Sequence, residues 1–398
     1  MDNGEGQMRI GLITWWKTLN YGAMLQAIAT YTFLKSLGYD VECVDFRQPA
    51  DRYPEMLRWR SWYRGKQGLI KLSLEYKAFD ALGRIRKSWA CVESCLKLGR
   101  LCKSYDDIVA EHYDLIVVGS DQLWNPMFLE EEDKDYLFTS MPASVKRISV
   151  ATSIAAETLP DNFKERFQGG LAKFSSLSVR EPSLIPLLEE MSGKKVFWSV
   201  DPTLLFSGCE WLRLLKLKVR GDDKKAPIVG YFLSGFENYL DSLIALAKHE
   251  KRKLHLYVDL HSLRYFPKLS ARGILSYLHM RAKLMFCRHI KICMSASPAD
   301  FVQDVANSYA VVADSFHALM FATVFRKNVK LHVPDSRKCM ASRITGFLER
   351  TGIRNVVVDQ LHPDCFDAAF RTDYPTEGLD NWIGETKGWI RRAIKETK

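Results

Sequence analysis

One continuous run of residues, AVVADSFHALMFATVFRKNVKLHV from Ala310 to Val333, constrains the fold of this chain more than any other stretch. Apolar residues lead to Asp314, Ser315, Phe316 and His317, a helix-forming apolar stretch follows, and a short strand pattern closes the unit at Val329 to Val333. The pattern reads strand, polar turn, helix, strand. In an open α/β sheet such a turn lies outside the carboxyl end of a strand, where ligands bind. It also sets a hydroxyl and an imidazole beside a helix N-terminus whose free N–H groups suit an anion. His317 is therefore the first residue to examine for chemistry. The plainer reading is a histidine that anchors its own loop.

The same rhythm runs along the rest of the chain. RIGLITWW reads as a buried strand, and a Gly-containing turn, an amphipathic helix with apolar positions Met24, Leu25, Ile28, Tyr31, Leu34 and Leu37, and a second strand follow it. Gly38 is a natural helix stop. Further on, DLIVVGSDQLWNP, RISVATSI and LSVREPSLIPLLEE each begin as a strand, and SVDPTLLF closes the first half. A composition break at Arg220 to Pro227 reads as a linker, after which IVGYFLSG, a helix around Leu240 to His249, and LHLYVDL restart the alternation. These patterns predict two doubly wound, Rossmann-like α/β domains facing a cleft, residues 1–220 and 221–398, with functional loops at the carboxyl edges of the sheets. A helix through Leu379 to Ile394 is expected to pack across the junction.

With 398 residues, the chain exceeds what a single core usually supports, which agrees with two domains. The formal net charge of +10 is uneven: Arg47 to Lys103 holds 14 Lys and Arg against 5 Asp and Glu. This basic insertion, near residues 47–104, is expected to be helical. It is interleaved with Trp59, Trp62, Tyr63, Tyr76 and Trp89, a pattern compatible with an anionic membrane surface, an acidic substrate or simply a solvated face. No nucleic-acid-binding motif accompanies it, so no nucleic-acid partner is expected. No apolar run reaches the roughly 18–20 residues of a membrane span, and MDNGEGQ lacks the character of a signal peptide, so a cytoplasmic location is expected. The nine cysteines show no framework spacing and read as reduced thiols. Cys287, His289 and Cys293, with His279, match no compact zinc pattern, and no metal is expected.

Four turns at strand ends carry the candidate ligand contacts. In Thr18–Ala23, Asn20 and Tyr21 precede Gly22, which suits either close backbone approach to a ligand or a structural turn. The second, Gly119–Asn125, sets Ser120, Asp121 and Asn125 beside the Trp124 face, a combination suited to a sugar, although Asp121 also suits a helix cap. In the third, Arg180 at a strand end suits bidentate capture of phosphate or carboxylate, or a structural ion pair. The fourth is the Ser315–His317 turn.

Taken in order, NYGAMLQA, GSDQLWNP, SVREPS, VDPTLLF, SPADF and ADSFHALMFATVF resemble the polysaccharide pyruvyl transferases over roughly Met8 to Gly352. The resemblance implies a GT-B-like fold, phosphoenolpyruvate as donor substrate with no cofactor, and a glycan or lipid-linked oligosaccharide hydroxyl pair as acceptor. It carries donor binding and catalysis to His317 and Arg180, with Arg343 of ASRITGFL a further candidate. The chain departs from the family pattern in having Ala318 where Gly commonly follows the histidine, and Ser315 and Phe316 where many members have Arg-Leu. The chemistry implied is formation of a cyclic ketal, which needs one acid and one base function and fixed cations for a highly charged donor. A sugar-nucleotide-dependent GT-B glycosyltransferase and a non-catalytic binding module in glycan assembly are the alternatives. A lipid-linked acceptor would bring the protein to the inner face of a membrane, where the basic segment suits peripheral attachment.

Overall fold

A computed structural model describes residues 7–48, 83–126, 129, 135–156, 158–219, 225–233, 239–258, 284, 287–333, 341–375 and 377–397. Trp59, Trp62, Tyr63, Tyr76 and His279 lie outside them, as does most of the break expected at Arg220 to Pro227. The first sheet contains β1 (Arg9–Ile13), β2 (Asp40–Phe46), β3 (Leu98–Cys102), β4 (Leu115–Val118) and β5 (Arg147–Ser149). All its pairings are parallel and its order is β3-β2-β1-β4-β5. Single bridges Ile148–Ser176 and Thr152–Val179 extend it to the parallel pair β6 (Leu177–Val179) and β7 (Val196–Trp198). The second sheet, made of β8 (Ile228–Phe232), β9 (Leu254–Val258), β10 (Ile290–Ile292), β11 (Ala310–Ala313) and β12 (Asn328–Leu331), has the order β10-β9-β8-β11-β12. Each sheet thus starts in its centre, grows to one side and then reverses. The turns after β1 and β4, and those after β8 and β11, consequently meet at the two switch points.

Helix α1 (Tyr21–Ser36) follows β1, capped by the Asn20 side chain, which accepts from the Ala23 N–H, and ending before Gly38 at φ +89°. It is a helix as expected, but not an amphipathic one. Nearly every side chain is buried, including Gln26 and Thr30, because aromatic groups of the second sheet cover the face the first sheet leaves open. Tyr21 stacks on Phe301 with ring centroids 5.6 Å apart, and meets Tyr231 and Tyr257 at 5.6 and 5.8 Å. One core therefore runs from the first sheet through α1 into the second.

Part of the basic segment is packed rather than solvated. Helix α2 (Arg84–Glu93) donates the Trp89 indole N–H to the Thr18 carbonyl at 3.1 Å, and its buried Arg84 lies over the Tyr21 ring. The segment also ends in β3, an edge strand where only helices were expected. The helix expected near the C-terminus is α3 (Gly378–Lys395), and it returns to the first sheet. Its Trp382 indole donates to the Trp198 carbonyl at 2.9 Å, its Thr386 hydroxyl accepts from the Val200 N–H at 3.2 Å, and Trp389 stacks on Phe197. Among the described residues no helix is long and apolar enough to cross a membrane.

Candidate functional site

Five strand-end or helix segments, remote in sequence, deliver charged side chains to one point. After β6 comes Arg180, whose Nη1 donates to Asp201 Oδ2 at 2.5 Å and whose Nη2 lies 3.5 Å from Asp121 Oδ1. Asp201 follows β7, and its other oxygen accepts from the Thr203 N–H and hydroxyl at 3.0 and 2.6 Å. Asp121 follows β4 in a left-handed conformation, φ +72°, which Asp tolerates better than most residues. The chain reaches that conformation through Gly119, where any Cβ would stand 2.1 Å from the Val150 carbonyl oxygen. His317 opens helix α4 (Phe316–Val324), with Nε2 3.3 Å from Arg180 Nη1 and 3.6 Å from Asp201 Oδ2. Arg343, on helix α5 (Ala341–Thr351), completes the group with Nε 3.8 Å from Glu181 Oε1.

Burial makes these charges interdependent. It would by itself raise the Asp201 carboxyl, but hydrogen bonding to His317 and Thr203 and the charges of Arg180 and His317 win, and the carboxyl is held well below the usual carboxylate range. Burial likewise opposes the Arg180 charge, and Asp201, Asp121 and Glu181 overcome it. Arg343 is different. Burial, reinforced by repulsion from Arg180, pushes its guanidinium down to about 10 against weaker attraction from the carboxylates. Both guanidinium carbons stand over the Phe316 ring, at 5.5 and 5.4 Å. Among the described residues Arg343 makes no hydrogen bond, and its buried Nε has only the looser ion pair with Glu181. Arg180 thus has close carboxylate partners at both Nη atoms and only its Nε unbonded, whereas Arg343 has a single looser ion pair, to Glu181, and no hydrogen bond among the described residues.

The His317 ring has alternative partners at one nitrogen. A neutral imidazole accepts at Nε2 from the Arg180 N–H and carries its proton on Nδ1; an imidazolium presents an Nε2 proton to Asp201. Nδ1 abuts the start of α1, since a Cβ on Gly22 would stand 2.1 Å from it. Gly22→Ala must therefore displace the ring or the helix. A shift of about 1 Å at a reacting group costs roughly 100-fold in rate, and overpacking costs about 1–3 kcal/mol. Turnover is expected to fall by that order with a modest loss of thermal stability; wild-type turnover in the variant would show that ring placement does not matter.

Of the residues singled out in sequence, Arg180, Asp121, His317, Arg343 and Gly22 come together. Asn20 caps α1. Ser315 occupies the N-cap position of α4, buried and without a side-chain cap bond. The sugar face expected at Gly119–Asn125 is not formed: Trp124 is fully buried against Phe174 with its indole N–H bonded to the Tyr136 carbonyl, and Ser120 donates to the Ala151 carbonyl. Asn125 is bonded to Gln122 within the turn. Tyr21 is likewise sealed in the aromatic core, with its hydroxyl on the Ala296 carbonyl. Asp201, which is not among the candidate residues above, and Glu181, which follows Arg180 in the third turn, occupy the centre. The available signal is an acidic residue within three positions of a strand end in the strings VDPTLLF and SVREPS.

A family model described as polysaccharide pyruvyl transferase matches residues 20–329. No curated protein sequence matches the chain. Among solved structures, the UDP-GlcNAc 2-epimerase of Methanocaldococcus jannaschii is similar at a TM-score of 0.53 and 11% identity, covering 98% of this chain and 100% of that one. A putative UDP-N-acetylglucosamine 2-epimerase from Listeria monocytogenes is similar at 0.52 and 12%, covering 98% of this chain and 96% of that one. At such identities the likeness is one of fold, an α/β arrangement of parallel sheets and helices of the GT-B kind.

Proposed function

Because this chain belongs to the polysaccharide pyruvyl transferase family, we propose that it moves the pyruvyl group of phosphoenolpyruvate onto two hydroxyls of a glycan as a cyclic ketal, with Arg343 and His317 at the centre of the reaction. The observation that supports this most is the buried Arg343 guanidinium, which makes no hydrogen bond among the described residues, in the same charged group as a histidine that has a partner for each protonation state. An anionic donor supplies what Arg343 lacks, and the N–H groups at the start of α4 add to it. Protonation of the donor's methylene carbon gives positive character to the adjacent carbon, and one sugar hydroxyl adds there. Phosphate then leaves, and the second hydroxyl closes the ring. Protons and charge balance without an oxidant or reductant, so the reaction as written needs no redox cofactor. Since Nδ1 abuts Gly22, Nε2 is the nitrogen that exchanges protons, and the donor takes over the N–H that Arg180 directs at Nε2.

The deciding assay incubates the protein with phosphoenolpyruvate and fractionated glycan intermediates, following phosphate release and the mass gained by the acceptor. Release of nucleotide from a sugar nucleotide in parallel incubations would instead favour a glycosyltransferase. Binding of glycan with neither reaction would favour a module without turnover.

Arg343 allows a test on binding alone. Because its proton is held less firmly folded than unfolded, its charge subtracts from stability throughout the range below about 10 where it stays charged. Arg343→Met is therefore expected to melt at or above the wild-type temperature while losing affinity for phosphoenolpyruvate by about 10- to 100-fold, the weight of a charge-assisted hydrogen bond. Thermal shift with and without phosphoenolpyruvate reads both. An undiminished ligand shift in the variant would remove Arg343 from the donor site.

A lipid-linked acceptor would place the reaction at the inner face of a membrane, and the basic, aromatic stretch from Arg47 to Lys103, apart from the packed Arg84 and Trp89, is proposed as the contact with anionic headgroups. Each Lys or Arg near such a surface adds about 1 kcal/mol, weakened by salt. Flotation with anionic vesicles at low salt should capture the protein and flotation at high salt should release it. Equal behaviour with neutral vesicles would take the membrane out of the account.

A further inference from the structure

A second group of ligating side chains lies on the other sheet, apart from Arg180, His317 and Arg343. His255 on β9 and Cys293 just past β10 occupy one face of that sheet, because β9 and β10 pair in register from Leu254↔Ile290 to Leu256↔Ile292 and side chains alternate along each strand. Helix α6 (Pro298–Ala306) crosses this face and contributes Asp304. One nitrogen of His255, the Cys293 sulfur and one oxygen of Asp304 all lie within 4.8 Å of one another. Within the group, His255 Nδ1 and Asp304 Oδ2 are 2.6 Å apart, and Tyr257 Oη is 2.8 Å from the same oxygen. Cys293 is buried, while the His255 and Asp304 side chains keep 15% and 24% of their surface exposed. The group is thus closed on its sulfur side and open to solvent on the other.

We propose that His255, Cys293 and Asp304 form a binding site for a thiophilic divalent cation of the zinc class, tying strands β9 and β10 to helix α6. The donor set of one imidazole, one sulfur and one carboxylate suits zinc, and the open side leaves a fourth position for water. With ligand bonds near 2.0 Å to nitrogen and oxygen and about 2.3 Å to sulfur, neighbouring donor atoms in a tetrahedral site stand roughly 3.3–3.6 Å apart. His255 and Asp304 need to open by under about 1 Å and the sulfur to close by a similar amount, both within reach of side-chain torsions. The cation bonds Nδ1 of a neutral His255 imidazole whose proton sits on Nε2, and the Cys293 thiol gives its proton to water, so a neutral imidazole, a thiolate and a carboxylate meet two positive charges. Tyr257 stays beside Asp304 as an outer partner that orients the carboxylate. The site escaped the sequence because its members come from two strands and a helix, and Cys287 and His289, the neighbours that compact spacing rules consider, are not in it.

Metal titration of the full chain tests this with a readout that does not depend on turnover. Cobalt(II) should give the sulfur-to-cobalt charge-transfer band and the visible bands of a tetrahedral site, zinc should displace it, and zinc alone should raise the melting temperature. Cys293→Ser should abolish the charge-transfer band and weaken zinc binding by at least about 10-fold, the lower end of what even an outer-sphere partner contributes. Cys209→Ser, which alters an exposed thiol, should change neither. If Cys293→Ser does not fold, His255→Gln must still lower zinc affinity by that factor. The proposal is overturned by a wild-type protein with no charge-transfer band and no zinc-dependent rise in melting temperature. It is equally overturned by wild-type affinity in either Cys293→Ser or His255→Gln.

Discussion

Asp201→Ala is expected to lower the unfolding free energy by about 3–5 kcal/mol, the cost of stranding a buried guanidinium without its counter-charge. Asp201 and Arg180 are both nearly sealed from water, and their 2.5 Å contact ties the end of β7 to the end of β6. The more distant Asp121, at 3.5 Å, cannot replace it, because its carboxylate is fixed by a left-handed turn. The pH dependence has a defined sign. A carboxyl whose folded pKa is depressed contributes stability that is complete above its unfolded value, near 3.9, and is lost as pH falls through the folded value. Wild-type stability should therefore decline below about pH 4 more steeply than that of Asp201→Asn, which has already lost the charge. Removing both partners separates the pair from its surroundings: Asp201→Asn combined with Arg180→Met should recover part of the loss, since no buried charge is then left alone. Urea unfolding of the single and double variants makes the measurement. An Asp201→Ala protein as stable as wild type would mean that Arg180 finds another partner or water.

The strands were legible where they are buried on both faces. LIVV and AVVA carry nothing but apolar residues, and both are interior strands with a neighbour on each side. The edge strand LGRLC carries Gly and Arg and exposes Leu98 and Leu101, so its pattern gave no reason to prefer strand over the helix expected around it. Helix α1 was recognised as a helix and misjudged in its surroundings. An amphipathic helix leaves its polar side chains in water, whereas here Gln26 donates to the Thr14 hydroxyl and accepts from the Ser120 N–H, and Thr30 bonds back to the Gln26 carbonyl. Buried polar groups with partners look like surface positions in a sequence, since a partner remote in the chain leaves no local mark. The same limit hid Asp201, whose meaning depends on Arg180 and His317. Trp124 failed in the opposite direction: an aromatic residue among polar neighbours suits either a ligand surface or the core, and only the path of the turn back over Phe174 separates the two.

His317→Gln is expected to reduce turnover by about 100-fold or more while leaving the fold in place, the usual scale for removing a general acid–base group. Glutamine keeps a polar atom for Arg180 to donate to, yet it cannot hold a proton for the donor's methylene carbon or take one from a sugar hydroxyl. The loss should therefore fall on kcat, with the KM for phosphoenolpyruvate little changed, the opposite of the pattern expected for Arg343→Met. His317 is also well placed to be removed without collapse, because it opens α4 rather than lying inside a sheet, and its ring abuts Gly22 and two polar groups. A melting temperature near that of wild type would confine the effect to chemistry. Turnover of His317→Gln within a few-fold of wild type would move the proton transfer to another group and leave His317 as the anchor of its own loop.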